Sequence, residues 1–132
     1  MGILALAPML LGNYLYFMFL TEMMNAPTTN FLEQIREQGS AFYLITLCVF
    51  PALTEEIAFR GLLQQWLQVA VTPVRALVIA SALFSALHFS VLSAPYIFLL
   101  GLILGWTKLK TGSIYPAMAI HFLHNFIVVE WF

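Results

Sequence analysis

The chain has 132 residues, 62% of them hydrophobic and 8% charged, against roughly 25% charged residues in an ordinary soluble domain. So few polar side chains cannot cover a surface facing water, and lipid is the solvent that removes the contradiction. A net charge of −1 leaves no basic patch to meet phosphates, which excludes a nucleic-acid partner, and the length holds one domain, residues 1–132, of at most about five or six membrane spans.

The first apolar run extends from Ile3 to about Met24. Pro8 and Gly12 lie inside it, which a membrane helix tolerates. Met1-Gly2-Ile3-Leu4 has no basic region and no small-residue cleavage site after it, so it reads as a retained span and not as a cleaved signal; a trimmed boundary would read the same way. Asn25 to Asn30 is a break, and Thr28, Thr29 or Asn30 with Glu33 can cap the next helix. Phe31 to Gln38 is too short and polar to span, and a short interfacial helix is expected there.

Gly39-Ser40 opens the second long run, Ala41 to about Val71. At 1.5 Å per residue it exceeds the ~30 Å hydrocarbon core, so a kink near Pro51 or a steep tilt is expected. Thr72-Pro73 ends it. Val74 to about Ser90 is the third span, Ser93-Ala94-Pro95 a turn, Tyr96 to about Lys108 a short fourth span, Lys110 to Ser113 a turn, and Ile114 to Phe132 the last span. The fold class expected is therefore all-α: a polytopic transmembrane bundle of about five spans plus the interfacial helix. Arg75, Lys108 and Lys110 fall on one side and Arg36 on the other. By the positive-inside rule the first side is cytoplasmic, with the N-terminus inside. The single Cys48 reads as a small buried hydrophobe.

The second span carries Glu55, Glu56 and Arg60. A charged side chain at the bilayer centre costs about 2.5–3.5 kcal/mol on insertion scales. Accepting that cost three times points to a functional site. Glu56 and Arg60 are spaced i,i+4 and can form an ion pair on one helix face. Glu55 is rotated about 100° from Glu56 and faces elsewhere. One carboxylate thus reads as neutralised support, and the other as free to act as a general base. The plainer reading, polar groups bonded across helices for packing specificity, fits Glu56 and Arg60 better than Glu55.

His88 stands near the end of the third span, where a lone His is more often interfacial or hydrogen-bonded than catalytic. Its depth matches that of Glu55, about 20–25 Å from the cytoplasmic helix ends, and it shares a face with Phe84. His121 and Asn125, again i,i+4, can both donate toward one point, as an oxyanion requires. They could equally bond across helices. His124 lies off the His121 direction and is secondary.

These residues, in this order, resemble the CPBP family, which groups the type II CAAX prenyl endopeptidases with the Abi and bacteriocin-processing or immunity membrane proteins. Its motifs are matched by Glu55-Glu56-Ile57-Ala58-Phe59-Arg60, by Phe84 to His88, and by His121 to Asn125, with Gly101 to Pro116 as lead-in. The resemblance covers about residues 44–130 as the core, and leaves residues 1–40 as an N-terminal span and interfacial segment without a motif. It implies an intramembrane endopeptidase in which Glu55 activates a water with help from His88, Glu56 and Arg60 hold that arrangement, and His121 and Asn125 bind the oxyanion. It also implies a peptide or membrane-associated protein substrate, lipid as the surrounding partner, a compact bacterial-type member in the plasma membrane, and no cofactor. A zinc site built from Glu55, His88 and His121 is the less favoured alternative, since zinc peptidases of the His-Glu-x-x-His type put two ligands and a base on one helix. The same family allows a non-catalytic immunity or scaffold protein.

Overall fold

Thirty residues, Ala41–Ala70, form one continuous helix, α1, in the computed structural model of the chain, which describes residues 37 and 40–131. The first expected span, Ile3 to Met24, and all of the expected interfacial helix except Glu37 lie outside the described residues. Pro51 has no N–H, so α1 loses the bond that position 51 would make to the Leu47 carbonyl. The helix does not break there. A π-helical stretch, Ile45–Val49, precedes the proline, and a second, Ile57–Leu63, comes after Glu56. Wider turns of this kind recur at functional sites, because they shift side chains out of α-helical register.

Val71 is extended (φ −135°, ψ 167°) and ends α1. The Thr72 hydroxyl accepts from the Arg75 N–H at 3.4 Å, and Pro73 opens α2, Pro73–Ala86; both residues suit a helix start. The third span, expected to reach Ser90, is shorter: α2 stops at Ala86. Side chains compete with the helix for the backbone groups beyond that point: Ser85 Oγ donates to the Ala94 carbonyl at 2.7 Å, and Ser90 Oγ accepts from the Ser93 N–H at 3.2 Å. With 14 residues, α2 is about 21 Å long, short of the ~30 Å core.

Helix α3 is Ala94–Thr111, and it ends at Gly112, whose φ of 70° lies in the left-handed region and whose N–H bonds the Lys108 carbonyl at 2.9 Å. That conformation is one glycine adopts freely. Helix α4 is Tyr115–Trp131.

Neighbouring helices pack in sequence: the second half of α1 on α2, α2 on α3, α3 on α4, and α4 back on the first half of α1. Leu100, Leu104, Ala117 and Ile120 form the α3–α4 core, with Tyr96 and Ile103 against it. At Gly105 the helices approach so closely that a Cβ would lie 2.4 Å from Leu77 Cδ1.

Much of the outer surface is apolar: Phe50 is 63% exposed, Trp66 75% and Val69 89%. The apolar window of α1 is only 22% buried, whereas the core helix of a soluble protein would be mostly covered. Among the described helices, α1 alone is both long and apolar enough to cross a membrane. Arg75 opens α2 and Lys108 and Lys110 close α3, so the basic residues share one end of the bundle. Lys110 Nζ sits 4.8 Å from the Trp106 ring centroid there.

Candidate active site

The middle of α1 carries a buried ion pair. Arg60 Nη1 donates to Glu56 Oε1 at 3.0 Å, with the two side chains 1% and 0% exposed. Arg60 Nη2 donates to the Gly101 carbonyl at 3.1 Å, and the guanidinium carbon lies 4.4 Å from the Phe84 ring centroid. A buried charge is tolerable when a partner and further donors or acceptors surround it in this way. One turn along α1, Gln64 Nε2 donates to the Gly105 carbonyl at 3.2 Å. Glycine at 101 admits the close approach of α2 to α3 beside this contact, since a Cβ there would meet Ser81 Cβ at 3.0 Å.

Glu56 Oε1 also accepts from His121 Nδ1 at 3.0 Å. The carboxylate can only accept, so Nδ1 carries a proton, and Glu56 fixes the ring. The opposite nitrogen, Nε2, then faces Glu55 Oε2 at 3.8 Å. That separation is too long for a direct hydrogen bond. Glu55 Oε2 is buried and accepts no hydrogen bond, although the side chain as a whole is 31% exposed.

His88, expected near the end of the third span, stands in the turn that follows it. It lies beyond the end of α2, and its Nδ1–H donates to the Phe84 carbonyl at 2.7 Å. It thereby takes up one of the carbonyls that a helix end leaves without a partner. Its ring stays 4.8 Å from that of Phe84, centroid to centroid. The next residue, Phe89, has a φ of 51°, a left-handed conformation that is costly for a bulky side chain.

Asn125 also has protein partners. Its Nδ2 donates to the Leu47 carbonyl at 3.4 Å, the one that Pro51 leaves free. Its Oδ1 accepts from His124 Nδ1 at 3.0 Å. With the proton on Nδ1, His124 Nε2 accepts from the Tyr96 hydroxyl. By sequence alone His124 reads as secondary and Tyr96 does not stand out. His124 is 5% exposed and belongs to this chain of bonds.

A cavity of about 320 Å³ brings the groups together: Glu55, His88, Tyr96, His121, His124 and Asn125 line it, with Leu47, Pro51, Phe84, Ile97, Leu100, Val128 and Val129 as apolar wall. Glu56 and Arg60 do not line it; they lie behind His121. Among the described residues no three His, Cys, Asp or Glu side chains gather as a metal-ligand set. Cys48 is buried and unpaired by any disulfide.

The fold and these positions define a helical protein with a polar, carboxylate- and imidazole-lined cavity inside an apolar bundle. The chain belongs to the type II CAAX prenyl endopeptidase Rce1-like family, whose family model matches residues 37–127. The match bears out the CPBP resemblance carried by the three motifs, and it includes every candidate residue from Glu55 to Asn125. The family is one of membrane proteases. Neither a curated protein nor a solved structure matches the chain.

Proposed function

We propose that the chain is an intramembrane endopeptidase in which Glu55 is the general base. One observation carries this reading. Among the described residues the buried polar side-chain atoms without a hydrogen-bond partner are Glu55 Oε2, Glu56 Oε2, Gln64 Oε1 and Gln68 Nε2. Of these four residues only Glu55 lines the cavity. In a low-dielectric interior such an atom is expensive unless function uses it.

A water at ordinary hydrogen-bond distance from both Glu55 Oε2 and His121 Nε2 fits across their 3.8 Å gap. Glu55 takes a proton from that water as its oxygen attacks the scissile carbonyl carbon. His88, which lines the same cavity, helps to orient the water. The oxyanion is received by an Asn125 N–H and, where His121 enters the step already carrying protons on both nitrogens, by its Nε2–H, while Nδ1–H stays on Glu56. Glu55 then returns its proton to the departing amine. The peptide and one water become a carboxylic acid and an amine.

Depth supports a substrate bond near the membrane surface. Glu55 lies fifteen positions before Ala70, about 22 Å from the basic end of the bundle. Of a ~30 Å core, that leaves the site in the half nearer the opposite face. The basic end is the cytoplasmic one in this reading.

The test uses purified protein in detergent or nanodiscs with a fluorogenic prenylated CAAX peptide, the substrate type in the family's description. Glu55→Gln should lower cleavage about 10²–10⁴-fold, the typical contribution of a general base. Cleavage at the wild-type rate by a folded Glu55→Gln protein refutes the mechanism.

A further inference from the structure

We propose that Tyr96 and His124 are positioning residues that set the Asn125 amide for the transition state, a role that rests on the peptidase reading above. Three helices take part. Tyr96 stands in the first turn of α3, His124 and Asn125 are consecutive on α4, and Leu47 belongs to the π-helical stretch of α1.

The hydrogen bonds run in one direction, and each atom has a single consistent role. The Leu47 carbonyl can only accept, so the Asn125 group facing it is the amide nitrogen. Asn125 Oδ1 therefore faces His124 Nδ1, which must carry a proton to donate. A neutral imidazole with its proton on Nδ1 has a lone pair on Nε2, and the Tyr96 hydroxyl donates to it. Turning the amide over would set Oδ1 against the Leu47 oxygen and the NH₂ against the His124 N–H, two repulsive contacts at once. The amide is thus held at both ends. One of its N–H bonds is used by Leu47, and the other remains for the cavity that Asn125 lines.

Tyr96 and His124 both line the cavity. They pack at 5.6 Å between ring centroids, so a purely structural role is the competing explanation. Coupling through Asn125 separates the two. Losing one oxyanion donor costs about 10²–10³ in kcat, and releasing its orientation forfeits part of that.

The experiment measures kcat and KM on the prenylated CAAX peptide for Tyr96→Phe, His124→Leu and His124→Asn, each in the wild-type and the Asn125→Ala background. In the wild-type background Tyr96→Phe should lower kcat about 5–20-fold and His124→Leu about 10²-fold, with KM within about twofold. His124→Asn places an N–H near the position of Nδ1 and should recover most of the His124→Leu loss. In the Asn125→Ala background Tyr96→Phe and His124→Leu should cost nothing further, because residues acting as a unit are non-additive. Equal losses in both backgrounds, or a change in KM alone, overturn the proposal.

Side-chain ¹⁵N NMR of the unmodified protein gives a test that needs no variant to fold. His124 should show the Nδ1–H tautomer, and the Nε2–H tautomer overturns the proposal. Glu55→Gln is measured in parallel. Full activity of that variant refutes the peptidase mechanism itself, whereas its inactivity combined with additive losses at Tyr96 and His124 refutes only the positioning role.

Discussion

Replacing Arg60 by Met tests the idea that Glu56 and Arg60 support the site and do no chemistry. Arg60 is 1% exposed and supplies one nitrogen to Glu56, one to the Gly101 carbonyl, and its face to Phe84. Met fills most of the stem volume but removes all three contacts. Glu56, 0% exposed, is left with His121 as its one hydrogen-bonding partner. Removing one member of a buried pair costs about 3–5 kcal/mol, mostly because the other charge stays behind uncompensated. The double variant Glu56→Gln/Arg60→Met leaves neither member of the Glu56–Arg60 pair without its partner, and the Gln carbonyl can still accept from His121 Nδ1. Its cost should fall to a packing term of about 1–2 kcal/mol. The four proteins form a cycle with a coupling of at least about 2 kcal/mol. Reversible unfolding in mixed detergent micelles, monitored by circular dichroism, reads it. If the double variant is destabilised by the full sum of the singles, the charges do not compensate each other and the support role fails.

Gly105→Ala places a Cβ 2.4 Å from Leu77 Cδ1 and 2.9 Å from Gln64 Oε1; unfolding measurements should show a loss of about 1–3 kcal/mol, partly recovered by a second Leu77→Ala change. Pro51→Ala restores an N–H that competes with Asn125 for the Leu47 carbonyl. The protein should become no less stable while kcat falls about tenfold, and unchanged cleavage would separate the α1 proline from the site. If Glu55 activates the water as proposed, treatment with strong chelators should leave cleavage of the prenylated peptide intact; loss of activity that zinc restores would overturn the proposal.

The elements of the bundle are legible in the sequence because their punctuation is local. Thr72-Pro73 and Gly112 stop and start helices through their own backbone chemistry, and they do so at the expected places. The i,i+4 pair Glu56 and Arg60 can be read from spacing, since a helix puts such residues on one face whatever surrounds it. The end of α2 cannot. Apolar residues continue past Ala86, and the helix stops because His88, Ser85 and Ser90 find backbone or side-chain partners in the turn. Those partners are visible only in three dimensions. The Tyr96–His124 contact spans 28 positions, and nothing in the run of residues marks a tyrosine near a span end as anything but an interfacial aromatic. Helical rotation relative to His121 discounts His124, which holds for a cavity approached from one direction. The cavity wraps round α4 far enough to include both rings.

The two adjacent glutamates show how an apolar environment sorts identical groups into different tasks. Nothing about residue type distinguishes Glu55 from Glu56. Partners do: Glu56 Oε1 receives Arg60 and His121, while Glu55, whose Oε2 receives nothing, lines the cavity. The proline works by the same logic on the backbone. In lipid a carbonyl without a donor costs several kcal/mol, so the carbonyl that Pro51 frees at Leu47 must find one, and it finds Asn125. A defect in one helix thereby fixes an amide on another, and through His124 and Tyr96 it ties in a third. The polar groups of the bundle are therefore not separate tolerated exceptions. Arg60, Glu56 and His121 hold one another, as do Leu47, Asn125, His124 and Tyr96, while Glu55 Oε2 accepts no hydrogen bond.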